Sequence, residues 1–138
     1  MDQTWQCPKC KREFAKKNQQ HSCVVYPLAK HFENKPYAKE LFQHLQKRIR
    51  ASIGPVKVES LPCCIHFVSS YTFGGVWAMK DGIRIDFRVD HPIKSRRHFK
   101  KLRMSANRYL YYFDIKEKEE ISRELIGWIG ESYHLHGG

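Results

Sequence analysis

Ile83-Arg84-Ile85-Asp86-Phe87-Arg88-Val89-Asp90 alternates apolar and charged side chains without a break. Successive side chains of a strand point to opposite faces. The stretch therefore predicts a strand that buries Ile83, Ile85, Phe87 and Val89 and shows Arg84, Asp86 and Arg88 on one exposed or pocket-lining surface, with Asp86 ion-paired between its arginines. Lys80-Asp81-Gly82 ahead of it is turn chemistry, and Cys63–Ser69 and Thr72–Met79 are short runs rich in β-branched and aromatic residues. After His91-Pro92, Arg97–Met104 and Arg108–Ile115 read as two more strands joined by Ser105-Ala106-Asn107, although Phe99, Leu102 and Met104 also suit a basic helix over 95–104.

Helical periodicity flanks these strands. Val24 to Lys35 reads as a linker, and Pro36 suits a first helical turn. Ala38, Leu41, Phe42, Leu45, Ile49 and Ile53 then recur at spacings of three and four until Gly54-Pro55 stops the run. A second helix is predicted from about Lys116 to Tyr133, with Ile121, Leu125, Ile126, Trp128 and Ile129 as its apolar stripe. The fold class is α+β: an N-terminal zinc knuckle, a helix, an antiparallel sheet of about five strands and a C-terminal helix, with the helices covering one face of the sheet. Residues 1–27 form the knuckle and 28–138 the α+β body.

Length and charge narrow the function. A chain of 138 residues with 41% hydrophobic and 13% aromatic residues can bury one core and is too short for a large multidomain enzyme. The uncharged run Ser60 to Met79 holds too many polar residues to span a membrane, and no secretory signal precedes it, so a cytoplasmic protein is expected. The net charge of +11 is uneven: residues 80–110 carry ten basic and three acidic side chains, whereas 111–138 carry three and six. Such asymmetry suits a polyanion-facing surface.

The N-terminal cysteines carry the sharpest signal. Cys7, Cys10, His21 and Cys23 give C-x2-C-x10-H-x-C. Two thiolates on a tight knuckle, closed by an imidazole and a third thiolate, make the tetrahedron that Zn²⁺ prefers, with no open position for water. Zn²⁺ is therefore expected as a structural cofactor, stabilising a segment with only Trp5, Phe14 and Ala15 as apolar material. Cys63 and Cys64 should point to opposite faces of a strand, unable to serve one metal, and behave as small buried hydrophobes.

The stretch W-x-C-P-K-C-K-R-E-F-x-K-x-N-Q-x-H-S-C, followed by H-F-E-N-K-P, L-F-x-x-L, G-P-V-K-V, I-H-F, F-G-G-V-W and a closing W-I-x-E-S-Y, resembles the prokaryotic domain of unknown function five-six-five-five with an N-terminal zinc knuckle. The resemblance implies the zinc site and a single body and brings no activity with it. In that pattern a Lys-Thr pair often precedes the I-x-F; Cys63-Cys64 stand there in this chain.

These features predict a zinc-stabilised, non-catalytic binding module that contacts nucleic-acid phosphates, RNA or DNA. The contacting cations are Lys9, Lys11, Arg12, Lys16 and Lys17 on the knuckle, and Arg84, Arg88, Arg96, Arg97, Lys100, Lys101, Arg103 and Arg108 in the body. Phe99, Tyr109, Tyr111 and Tyr112 interleave the central charges, with half of any strand-borne aromatics expected in the core. The alternative is a protein-interaction or accessory domain. Catalysis ranks third, with Glu59, Asp86, Asp90 and His91 as the only clustered acid/base groups and no nucleotide loop or nucleophile motif.

Overall fold

The computed structural model describes residues 5–8, 13–14, 16–18, 26–93 and 100–135. Trp5–Gln6 (β1) and Glu13–Phe14 (β2) pair as a small antiparallel hairpin in which Trp5 lies opposite Phe14, their ring centroids 6.1 Å apart. A 3-10 turn, Leu28–Phe32, leads into helix α1, Pro36–Ser52. Six strands follow: Lys57–Ser60 (β3), Ile65–Val68 (β4), Thr72–Met79 (β5), Gly82–Val89 (β6), Lys100–Ser105 (β7) and Arg108–Ile115 (β8). A second 3-10 turn, Lys118–Glu120, precedes helix α2, Arg123–Leu135. The main sheet is antiparallel throughout, with order β3-β4-β5-β6-β8-β7.

The α+β class and the helix–sheet–helix order agree with the sequence reading, and the details differ in three places. The sheet has six strands, because Lys57–Ser60 adds an edge beside β4. Only Val58 of that strand packs against the core, so the run is too short and too polar to show alternation. Part of the expected linker is a 3-10 turn that buries Phe32 against Phe42, ring centroids 5.3 Å apart. The single C-terminal helix is broken: Glu117 and Glu120 form a capping box around the 3-10 turn, and the Ser122 hydroxyl then accepts the Leu125 N–H at 3.1 Å, so α2 starts afresh. Of the two readings of the basic stretch, strand holds over 100–105, because every residue from Lys100 to Arg103 pairs in register with β8; residues 94–99 lie outside the described part.

Both helices share one core with the same sheet face. Leu41, Leu45 and Ile49 of α1 and Leu125 and Ile129 of α2 join Ile65, Val76, Ile83, Ile85, Phe87 and Phe113, all at most 4% exposed. Phe87 stacks on Phe113 and on Trp128 at 5.5 and 6.4 Å between centroids. Ser132, wholly buried, pins α2 to two strands: its hydroxyl donates to the Phe73 carbonyl at 2.6 Å and accepts the Arg88 N–H at 3.1 Å. No helix among the described residues is long and apolar enough to cross a membrane.

Candidate functional site

Neither helix packs on the other face of the sheet, and strand register decides which of the described residues stand there. Directly paired residues share a face. One row crosses five strands as Glu59, His66, Gly75, Asp86 and Tyr112. The next row holds Trp77, Arg84 and Asp114, and on the opposite flank Arg88, Leu110 and Leu102 are aligned.

Gly75 is a notch in this face. A Cβ there would lie 2.7 Å from Asp86 Oδ1 and 3.5 Å from Trp77 Cη2, so only glycine lets the carboxylate lean across. The Gly75 N–H also hydrogen-bonds Asp86. The notch deepens into a cavity of about 300 Å³ walled by Trp77 and Tyr112, with His66 and Arg88 at its sides and Asp86 inside. The Trp77 and Tyr112 rings are 5.9 Å apart, tilted by 44°. Burial pushes the Asp86 carboxyl above its usual range, while the Gly75 N–H and the charges of Arg88 and His66 pull it back.

The expected ion pair of Asp86 with its flanking arginines is corrected by this register. Arg84 reaches across the strands to Asp114, with Nε to Oδ1 at 2.7 Å and Nη2 to Oδ2 at 3.1 Å. Residues two apart on a strand are farther from one another than directly opposed partners, and a carboxylate stands opposite Arg84 in β8. Arg88 stays on the flank of Asp86 and acts on it through charge.

The basic stretch divides. Lys101 and Arg103 are exposed on the opposite side of β7, over the Tyr109 ring at 5.4 and 5.8 Å from its centroid. The Lys100 backbone pairs with Tyr112. Arg108 is half-buried and donates to the Asn107 carbonyl at 2.8 Å. Of the four interleaved aromatics, Tyr111 is fully buried, Tyr109 lies on the helix side, Tyr112 faces the open side, and Phe99 lies outside the described residues. Lys16 and Lys17 are exposed beside the N-terminal hairpin; Lys9, Lys11, Arg12, Arg96 and Arg97 lie outside the described residues. So do Cys10, His21 and Cys23, while Cys7 is buried.

Sequence reasoning missed Trp77, His66 and Gly75 as site residues. The signal was present in Gly74-Gly75 inside a strand, which marks a close approach of another group.

The expectation for Cys63 and Cys64 also needs correction. They precede β4 in a turn whose Leu61 N–H meets the Cys64 carbonyl at 2.9 Å, so the alternation of a strand does not apply. Cys64 is buried and Cys63 exposed, yet their sulfurs are 2.9 Å apart, and Cys64 Sγ lies 3.4 Å from His66 Nε2. Burial and the neighbouring sulfur push the Cys64 thiol up to about 12.

The acid/base candidates do not converge. Glu59 and Asp86 lie in the open-face row, while Asp90 and His91 sit with Glu131 beyond the end of β6. There His91 Nε2 meets Glu131 Oε1 at 2.6 Å and Nδ1 meets the Pro92 carbonyl at 3.0 Å. The Glu131 hydrogen bond raises the imidazole's pKa, which suits a doubly protonated ring in a closed surface ion pair.

The geometry defines an α+β protein whose sheet carries helices on one face and an aromatic, charged and notched surface on the other. The family described as "Domain of unknown function (DUF5655)" matches residues 28–136, and the chain belongs to that family. No curated protein and no solved structure matches the chain significantly.

Proposed function

We propose that the chain is a non-catalytic module that binds single-stranded nucleic acid across the helix-free face of its sheet. The observation that carries this reading is the Trp77–Tyr112 pair, two half-buried rings 5.9 Å apart on the sheet face that the helices do not cover, with Arg84 in the row of Trp77 and Arg88 on the opposite flank. Unpaired bases offer faces to such rings, and stacking tolerates any base because every base has a π-face. Arg88 suits a phosphate contact better than Arg84, whose charge Asp114 already balances. The Asp86 carboxylate in the notch repels phosphate and accepts N–H groups, so it favours a base at that point. The basic excess of residues 80–110 supplies the long-range attraction. A structural Zn²⁺ on Cys7, Cys10, His21 and Cys23 belongs to the same proposal, supported by the spacing and by the burial of Cys7.

Fluorescence anisotropy with a labelled single-stranded oligonucleotide tests it. Trp77→Ala and Tyr112→Ala should each weaken binding by about 1–3 kcal/mol. Arg88→Ala should reduce the slope of log affinity against log salt by roughly 0.7. Unaltered affinity in both aromatic variants, with folding intact, would overturn the reading.

A further inference from the structure

From the geometry of the β3–β4 turn we infer a binding site for a soft divalent cation, with the thiolates of Cys63 and Cys64 and the imidazole of His66 as donors. The argument starts from the turn. In a strand, adjacent cysteines diverge. Here the backbone closes between Leu61 and Cys64 in both directions, Leu61 N–H to the Cys64 carbonyl at 2.9 Å and Cys64 N–H to the Leu61 carbonyl at 3.3 Å. That closure brings the two sulfurs to one side, 2.9 Å apart. Two thiolates on a tetrahedral ion with metal–sulfur bonds of about 2.3 Å stand roughly 3.8 Å apart, so the pair must open by less than 1 Å to grip such an ion.

The remaining features fit an entry route and a third donor. Cys63 is exposed and gives the ion access, whereas Cys64 is buried and fixes the inner side of the site. His66, two residues on along β4, brings Nε2 to 3.4 Å from Cys64 Sγ, while Cys63 Sγ stands more than 4.8 Å from the imidazole nitrogens, so the exposed Cys63 side chain must turn inward for all three donors to meet one ion. Two thiolates and an imidazole are a donor set that selects zinc-like d¹⁰ ions over calcium or magnesium. Three protein donors leave one tetrahedral position toward solvent. Binding breaks two S–H bonds, forms two metal–sulfur bonds and releases two protons, with no change of oxidation state. By contrast, the Asp90, His91 and Glu131 group already uses both imidazole nitrogens in hydrogen bonds.

The test is a Cd²⁺ titration of the full chain carrying Cys7→Ser, Cys10→Ser and Cys23→Ser, followed by the ultraviolet sulfur-to-cadmium charge-transfer band. The expected result is saturation at one ion per chain. Adding Cys63→Ser, at an exposed position that does not threaten folding, should abolish saturable binding at that stoichiometry, and His66→Ala should lower affinity while keeping the band. The inference is overturned by absence of the band, by one ion shared between two chains, or by Cys63→Ser or His66→Ala leaving the affinity unchanged. Circular dichroism on each variant separates loss of the site from loss of the fold.

Discussion

At the scale of single residues, two glycines make opposite demands. Gly75 is held open by Asp86, whose Oδ1 would lie 2.7 Å from an added Cβ, so Gly75→Ala must push a half-buried carboxylate and the Trp77 ring out of place. Overpacking of this kind costs about 1–3 kcal/mol. Gly127 lies on the exposed side of α2 with nothing within 4 Å of an added Cβ, so Gly127→Ala should stabilise by about 0.5–1 kcal/mol through the helix backbone alone. Denaturant midpoints of the two variants check the contrast; equal shifts would mean that the notch is not packed as described. The same position shows where the sequence falls short. Alternation exposes Asp86 as a surface residue but does not say that a glycine directly opposite on the neighbouring strand lets it lean into a cavity, because that contact depends on register.

At the scale of elements, α2 is fastened by a polar peg as well as an apolar stripe. The Ser132 hydroxyl joins the Phe73 carbonyl of β5 to the Arg88 N–H of β6 inside the core. Ser132→Ala removes that partner from both groups and should destabilise by about 1–3 kcal/mol, read as a lower thermal or denaturant midpoint. A shift under about 0.5 kcal/mol would show that the peg is dispensable. Elements with a strong period were legible: residues 83–90 alternate, and α1 repeats every three to four residues from a proline start to a Gly-Pro stop. Weakly patterned elements were not. β3 has only Val58 packed on the core, and the restart of α2 depends on side-chain caps at Glu117, Glu120 and Ser122 that look like any polar linker. The outer strand β7 keeps Lys101 and Arg103 exposed, a pattern that discourages pairing with other sheets.

At the scale of the whole molecule, the core cluster of the described residues is drawn entirely from Phe32 onward, and the family match begins at residue 28. A described tie from hairpin to body is the Lys57–Glu13 ion pair, with both side chains more than a third exposed, a kind of contact worth little. A chain starting at Leu28 should therefore unfold in one cooperative transition near the midpoint of the full chain, while elemental analysis should find one Zn²⁺ fewer in the shortened chain than in the full one. A large loss of stability on shortening would make the two parts one cooperative unit. The proposed zinc ligands rest on spacing, since Cys10, His21 and Cys23 lie outside the described residues. The open face was legible only in part: Arg84, Asp86 and Arg88 were expected together, but Trp77 and Tyr112 belong to strands whose adjacency to β6 appears only once the sheet order is known.

Amide and indole chemical-shift mapping during titration with an unlabelled single-stranded oligonucleotide addresses the binding face directly. The largest shifts should fall on Gly75, the Trp77 indole, Arg88 and Tyr112. Shifts confined to the outer face of α1, at Lys39, Lys47 and Arg50, would contradict binding across the open sheet.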